Sequence, residues 1–144
     1  NHEEIDLILI DPPYGDMMAR EKTGEAAKNK KSTEATPFTN MEVDLGNMEW
    51  KKFREVFKDT IRNATKNLKD KGHLVIFIKD LQPKNGEPNL LHSDLINDIN
   101  NLDGINYLGT KIWGDLSVNL YPYGYPHSYV SNQIHQYILI FRKG

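Results

Sequence analysis

The chain has 144 residues, a formal net charge of −2 at pH 7 and no cysteine. This length fits one domain, and the small net charge excludes a general attraction to nucleic acid, so any such binding must rest on local patches. The lack of cysteine excludes disulfides and thiolate metal sites and fits a cytoplasmic protein. No apolar run reaches the roughly 20 residues that a membrane-spanning helix needs, so we expect no membrane partner.

A continuous aliphatic run near the start of the chain ends abruptly at a carboxylate and two prolines. Residues 7–10 are Leu-Ile-Leu-Ile, and Asp11, Pro12, Pro13 and Tyr14 follow them directly. The run predicts a strand that is buried on both faces. Its carboxyl end, where open α/β sheets bind ligands, then carries Asp11. The two prolines lack backbone donors and fix φ, so the strand stops there and the turn is stiff.

This rim suits chemistry at an aromatic amine. The lone pair of an exocyclic amine on adenine or cytosine is delocalised into the ring, so the nitrogen is a poor nucleophile. Two acceptors on the two amine hydrogens draw the nitrogen towards a tetrahedral form and free the lone pair. We expect Asp11 and the Pro12 carbonyl to be those acceptors, with Tyr14 stacked on the base.

Residues 15–46 show no apolar periodicity, and a segment of this length predicts a mobile loop. The loop is either a solvated connection or a flap over the base pocket, and the two interpretations are compatible. Its basic side chains are candidates for contacts with phosphate groups, each adding a salt-dependent contribution to binding. These candidate nucleic-acid-binding residues are Lys22, Lys28, Lys30 and Lys31.

The rest of the chain alternates between helical and extended patterns. Apolar residues at three- and four-residue steps predict helices over 50–68 and 91–102. Short aliphatic runs predict strands over 73–78, 105–113 and 134–142. This order predicts an α/β fold in which the first three strands are parallel, and the last is an antiparallel neighbour of the third.

Three further groups of residues bear on function. Lys79 follows the second predicted strand, so it borders the same crevice as Asp11. Tyr125 belongs to a segment rich in Tyr, Pro and Gly, whose rings either stack on unpaired bases or pack over the sheet edge. No metal site is expected, because the histidine spacing matches no zinc pattern and no carboxylates cluster with it; the histidines concerned are His92, His127 and His135.

The run ending in Asp11-Pro12-Pro13-Tyr14, the Gly72-led strand and the closing strand 135–143 resemble the amino-methyltransferases of DNA. The signature of that family is Asp-Pro-Pro-Tyr after a hydrophobic strand. The resemblance covers most of the chain. It implies part of a class I, Rossmann-like methyltransferase sheet with three parallel strands and a terminal antiparallel strand.

The resemblance also implies an activity, which is S-adenosylmethionine-dependent methylation of an exocyclic base amine in DNA. Adenine N6 is favoured over cytosine N4, because aspartate at the first motif position accompanies adenine more often. The substrate would be double-stranded DNA with its target base flipped out, often in a restriction-modification setting. The implied catalytic residues are Asp11, Pro12, Pro13 and Tyr14, and Asp11 and Lys79 would also face the cofactor.

One part of the family pattern is missing. The Phe-x-Gly-x-Gly loop that holds the methionine part of S-adenosylmethionine does not occur in the sequence, which starts at Asn1 rather than Met. We therefore expect residues 1–144 to be the catalytic half, inactive alone, with the cofactor-binding half elsewhere in the same polypeptide. Two alternatives stay open: methylation of RNA guanine or protein glutamine by a related rim, and a non-catalytic nucleic-acid-binding remnant.

Overall fold

The computed structural model describes residues 5–13, 39, 41–80, 90–102, 104–119 and 133–144. The strands in these ranges are β1 (Ile5–Ile10), β2 (Leu68–Ile78), β3 (Ile105–Gly114) and β4 (His135–Lys143). The α-helices are α1 (Trp50–Ala64) and α2 (Leu91–Asn100), and short 3₁₀ helices occupy Leu45–Asn47 and Thr65–Asn67. The chain divides into two compact units, one of Asn1–Asp11 with Arg62–Gly144 and the other of Pro12–Ile61.

The described strands form one mixed sheet in the order β1-β2-β4-β3. β1 pairs with β2 in parallel, whereas β4 is antiparallel to both β2 and β3. Because β4 opposes both of its neighbours, β3 runs in the same direction as β2. The carboxyl ends of β1, β2 and β3 therefore lie at one edge of the sheet, together with the amino end of β4.

This arrangement confirms the α/β fold and the antiparallel pairing of the last strand with the third, and it corrects the strand pairing. The three strands β1, β2 and β3 run in the same direction as predicted, but among the described strands only β1 and β2 pair side by side in parallel. The reason is the position of β4, which lies between β2 and β3 and forms hydrogen bonds with both. The result is a mixed α/β sheet of four strands with two helices.

The core of the first unit lies on one face of the sheet. Alternate residues of β2 and β4 are fully buried there, and helix α2 contacts β3 and β4. Every third or fourth residue of α2 is buried, as the predicted apolar stripe requires. The core residues are Leu74, Ile76, Ile78, Leu139 and Phe141 in the sheet and Leu91, Leu95 and Ile99 in the helix.

Strand β1 departs from the predicted burial. The sequence predicts a strand that is covered on both faces, but Leu7 is 53% exposed and Leu9 is 62% exposed. Leu7 and Leu9 alternate with the half-buried Ile8 and Ile10, so the exposed residues share one face of β1. Among the described strands, β1 lies at one end of the strand order and pairs with β2.

In the second unit, helix α1 confirms the apolar stripe predicted from residue 50 onwards. Phe53, Phe57 and Ile61 are buried. The ring of Phe53 stacks on Trp50 and on Phe57, with centroid separations of 5.1 and 5.2 Å. Val56 is 37% exposed, so the stripe is narrower than predicted. The predicted loop 15–46 lies outside the described residues except for its last part, which contains a turn and the first 3₁₀ helix.

Helix α1 ends four residues earlier than predicted, because a lysine from the other end of the chain fixes the turn that follows it. The Nζ atom of Lys143 donates to the carbonyl oxygens of Thr65, Lys66 and Leu68 at 2.9, 3.3 and 2.6 Å. Carbonyls at a helix end need such external donors. Leu68 is thereby released from the helix and begins strand β2.

Strand β2 bulges soon after it begins. Its residues Leu68 and His73 are five apart, while their partners on β1, Ile5 and Leu7, are two apart. The additional residues form an irregular excursion that includes Lys71 in a left-handed conformation, with φ of 65°. Strand β2 therefore begins five residues before the predicted start at residue 73.

No helix in the described part of the chain has both the length and the apolar character needed to cross a membrane.

Gly72 in the bulge should be intolerant of a side chain. A Cβ atom there would lie 2.9 Å from the Leu68 side chain and 2.9 Å from the Lys69 carbonyl oxygen. We expect Gly72→Ala to lower the free energy of unfolding by about 1–3 kcal/mol, as for other overpacked sites. Urea unfolding followed by circular dichroism measures this change.

Gly114→Ala is the matched control, because a Cβ atom at that strand position meets nothing within 4 Å. It should leave the free energy of unfolding within about 0.5 kcal/mol of the wild-type value. Equal losses for the two variants would contradict the packing proposed for the bulge.

Candidate active site at the carboxyl edge of the sheet

Asp11 lies at the carboxyl end of strand β1. Ile10 pairs with Ile76 of β2, so Asp11 is level with Phe77 at the edge where β2 also ends. The Asp11 side chain is exposed, and within the described residues its carboxylate has no hydrogen bond or ion pair. Its oxygens are therefore accessible to an incoming donor group.

The other predicted rim residues are described only in part. Pro12 is buried and Pro13 is half-buried, both at the start of the second unit. Several predicted site residues lie outside the described residues, so their roles stay predictions; these are Tyr14, Lys22, Lys28, Lys30, Lys31 and Tyr125.

A buried carboxylate joins the end of strand β2 to the start of helix α2. Asp80, which is 7% exposed, accepts a hydrogen bond from the backbone N–H of His92 at 3.0 Å. Its second oxygen lies 2.7 Å from Nδ1 of the His92 ring. The first contact satisfies a backbone donor in the first turn of α2, as a capping side chain does. The second holds the imidazole in one orientation.

The His92 ring continues into a short row of aromatic side chains on β4. It stacks on Tyr137 with a centroid separation of 4.0 Å, and His135 meets Tyr137 edge-on at 5.0 Å. Burial raises the pKa of the Tyr137 hydroxyl above its usual 10.0, and the negative charge of Asp80 adds to the effect. Tyr137 therefore stays neutral throughout the physiological range.

A small pocket opens between the ends of β2, β3 and β4. It measures about 80 Å³ and is open to solvent. Its described lining combines a cation, a carboxylate, an amide and an exposed indole with apolar side chains. These residues are Lys79, Trp113, Asp115, Val118, Ile134, His135 and Gln136.

Asp115 is the carboxylate of this pocket, and hydrogen bonds hold its side chain in one position. One of its oxygens accepts from the Ser117 hydroxyl at 2.5 Å and from the Ser117 backbone N–H at 2.9 Å. Its own N–H donates to the Ile134 carbonyl at 2.7 Å. The two hydrogen bonds from Ser117, with a smaller contribution from the positive charge of Lys79, hold the pKa of Asp115 below its usual 3.8.

The structure places Asp11 directly after β1 and Lys79 directly after the neighbouring strand β2. Lys79 lines the described pocket and Asp11 does not, so their shared crevice stays a prediction. The connection from Asp80 through His92 to Tyr137 is not among the sequence predictions, which consider His92 as a metal ligand and reject that role. Asp80 lies eleven residues before the start of α2, so no local capping pattern pointed to this connection. Within the described residues, no group of three His, Asp or Glu side chains is placed to hold a metal ion.

Comparison with known proteins gives a likeness in fold. The chain is similar to three structures of TTHA0409 from Thermus thermophilus, a protein assigned as a DNA modification methylase. The selenomethionine form gives a TM-score of 0.61 at 18% identity, and the native form gives 0.61 at 20%. The complex with S-adenosyl-L-methionine gives 0.58 at 19%.

These matches cover 98% of this chain but only 46–47% of TTHA0409, so the chain spans about half the length of the proteins it resembles. No family model and no curated protein sequence matches the chain.

Removal of the Asp80 carboxylate should destabilise the sheet edge. We expect Asp80→Ala to lower the free energy of unfolding by about 2–4 kcal/mol, since it removes a helix cap and leaves a part-buried His92 without its partner. Urea unfolding at pH 7 measures the loss.

The exposed Asp70 on β2 offers the control, and Asp70→Ala should change the free energy of unfolding by no more than about 0.5 kcal/mol. Equal effects of the two substitutions would refute the capping role.

The raised pKa of Tyr137 makes a prediction about alkaline stability. Above pH 10 an unfolded tyrosine loses its proton while Tyr137 in the folded chain keeps it, so the unfolded state binds fewer protons. The contribution of Tyr137 to the free energy of unfolding is fully present below pH 10 and declines as the pH rises further. Urea unfolding between pH 9 and about 11.5 should show a smaller decline in Tyr137→Phe than in wild type. Tyr107→Phe is the control, and an identical decline in all three proteins would contradict the assignment.

Proposed function

We propose that this chain is the catalytic half of an S-adenosylmethionine-dependent methyltransferase that acts on an exocyclic base amine in double-stranded DNA, most favourably adenine N6. The observation that carries the proposal is the exposed carboxylate of Asp11 at the carboxyl end of a parallel strand. Its support from comparison is a fold similar to that of TTHA0409, a protein assigned as a DNA modification methylase and crystallised with S-adenosyl-L-methionine.

The first role of Asp11 is to accept a hydrogen bond from the amine. An ionised carboxylate offers acceptors only, and such charge-assisted bonds are stronger than neutral ones. The Pro12 carbonyl, next in the chain, is the proposed second acceptor. Together they draw both N–H bonds out of the plane of the base, so the nitrogen lone pair is freed to attack a methyl group.

The second role of Asp11 concerns the proton that the amine must lose. Methylation makes the nitrogen more acidic, so the proton leaves after the new N–C bond has formed. The Asp11 carboxylate, which already holds one N–H and is exposed to water, can pass that proton to solvent. No covalent bond between enzyme and base is needed.

The methyl donor needs residues beyond those described. S-adenosylmethionine supplies an electrophilic methyl group on a sulfonium centre. This sequence has no Phe-x-Gly-x-Gly loop, and the described edge offers Asp11 and Lys79 as the proposed cofactor contacts. The residues present therefore fit only part of a cofactor site, and we propose that a cofactor-binding half in the same polypeptide completes it.

The proposed DNA substrate requires a base outside the duplex, because the amine of a paired base cannot reach the end of a strand. Flipping it out costs a few kcal/mol. Tyr14 is proposed to stack on the flipped base and Tyr125 on a neighbouring one, while the loop lysines contact phosphates. These lysines are Lys22, Lys28, Lys30 and Lys31. A paired endonuclease, as in restriction-modification systems, is part of the same proposal.

Substitution of Asp11 tests the proposal directly. In the full-length protein we expect Asp11→Asn to lower methyl transfer to DNA by at least 100-fold, because a neutral amide accepts a weaker hydrogen bond than a carboxylate and cannot take up the amine proton. Radiolabelled methyl transfer from S-adenosylmethionine measures the rate. Duplex binding, measured by fluorescence anisotropy, should change less than about threefold, because phosphate contacts dominate affinity.

Asp6→Asn is the matched control, since Asp6 is exposed and lies near the start of the same strand, far from its carboxyl end. Its Oδ1 atom pairs with Nζ of Lys69 at 3.0 Å. It should retain wild-type methyl transfer. Parallel assays with RNA and with protein substrates distinguish the two alternative acceptors. Wild-type turnover in Asp11→Asn, or transfer only to RNA or protein, would overturn the proposed reaction.

A further inference from the structure

We propose that the pocket at the ends of β2, β3 and β4 is a second nucleobase subsite, which takes an unpaired base that carries an amino group. Adenine, cytosine and guanine have such a group, whereas thymine and uracil do not. The inference rests on the proposed function for its ligand, which is a nucleic acid strand. The pocket does not include Asp11, although it shares Lys79 with the proposed cofactor contacts, and all of its described residues belong to the first unit.

The stacking surface is Trp113, the penultimate residue of β3. Its side chain is 56% exposed and lines the pocket, although an indole is among the side chains that proteins bury most extensively. Base stacking on aromatic rings is tolerant of sequence, because every base presents a flat π face. Gln136 pairs with Trp113 across the sheet and adds an amide that can hydrogen-bond to a base edge.

The selectivity comes from Asp115. Ser117 occupies Oδ1 through two hydrogen bonds, and within the described residues no group donates to Oδ2. An ionised carboxylate only accepts hydrogen bonds, so Oδ2 attracts an amino N–H and repels the carbonyl oxygen at the same position of thymine. The backbone bond from Asp115 to Ile134 fixes where this acceptor lies.

The Lys79 side of the pocket complements the charge of a nucleotide's phosphate group. Lys79 brings a positive charge to the same pocket, and phosphate groups are the usual partners of such lysines in nucleic-acid complexes. A pocket of about 80 Å³ that is open to solvent takes the edge of a base and leaves the sugar and phosphate outside. The negative charge of Asp115 then faces the base rather than the phosphate.

The pocket wall is held in place before any ligand arrives. His135 lines the pocket and packs edge-on against Tyr137, which in turn stacks on His92. The ring of His92 is fixed by the buried Asp80. This row of contacts anchors the pocket to the core of the sheet, and such preorganisation favours binding.

The spacing of the strands separates this pocket from the target amine. Neighbouring strands lie about 4.8 Å apart, and β2 and β4 stand between β1 and β3. The pocket therefore begins one strand from Asp11 and extends to roughly 14 Å across the sheet. A base in the pocket is thus a different base from the one at Asp11, in the same unpaired strand.

Tryptophan fluorescence provides the test, because Trp113 lines the pocket whereas Trp50, the other tryptophan of residues 1–144, does not. In the full-length protein the signal should persist in Trp50→Phe and disappear in Trp113→Phe, which assigns it to Trp113. Single-stranded pentamers of deoxyadenosine, deoxycytidine and thymidine are titrated against the protein. We expect saturable quenching with at least fivefold tighter binding of the adenine and cytosine pentamers than of the thymine pentamer.

Asp115→Asn supplies the decisive variant, since asparagine keeps an acceptor for Ser117 but replaces Oδ2 by an N–H donor. The preference should reverse in favour of the thymine pentamer, an outcome that a purely structural role for Asp115 does not produce. Asp6→Asn is the control and should leave the preference unchanged, because Asp6 pairs with Lys69 and does not line the pocket. Absence of quenching, equal affinities, or a preference that survives Asp115→Asn would overturn the subsite.

The proposed reaction is tested independently in the same proteins. Methyl transfer that depends on Asp11, combined with no base preference at Trp113, would reject the subsite and retain the function. The converse result would reject methylation and retain a nucleobase-binding pocket.

Discussion

The insertion of strand β4 between β2 and β3 is the constraint on which the rest of the sheet depends. β4 is antiparallel to both neighbours, so its amino end lies beside their carboxyl ends. One edge therefore gathers the termini of all four described strands, and the pocket residues from β2, β3 and β4 meet there. Because a two-residue slip would move Gln136 away from Trp113, the register of β4 fixes the chemistry of the pocket as well as the core.

The two ends of this edge differ in how they are supported. On the β1 side, Asp11 follows an edge strand whose residues Leu7 and Leu9 are largely exposed. On the other side, the buried Asp80 binds His92 and so ties the end of β2 to helix α2. The proposed base subsite is thus anchored to the core, whereas the proposed catalytic Asp11 follows a strand at the margin of the sheet. This difference fits the proposal that a cofactor-binding half completes the site.

Local patterns predicted the elements well, whereas contacts between distant residues were beyond them. The aliphatic run before Asp11 and the apolar stripes of both helices are local patterns. The end of β1 and the presence of both helices were therefore correctly predicted. The position of β4, in contrast, depends on pairing across the whole chain. The early end of α1 depends on Lys143, a residue 78 positions from Thr65. The link between Asp80 and His92 spans 12 residues and a turn, and neither residue type reveals it alone.

The position of the substrate amine is the most direct test of the account. A crystal structure of the full-length protein with duplex DNA and a non-reactive analogue of the methyl donor would locate the flipped base. The exocyclic nitrogen should lie about 3 Å from an Asp11 carboxylate oxygen, as a charge-assisted hydrogen bond requires. A flipped base whose amine is held by other groups, with Asp11 facing solvent, would contradict it.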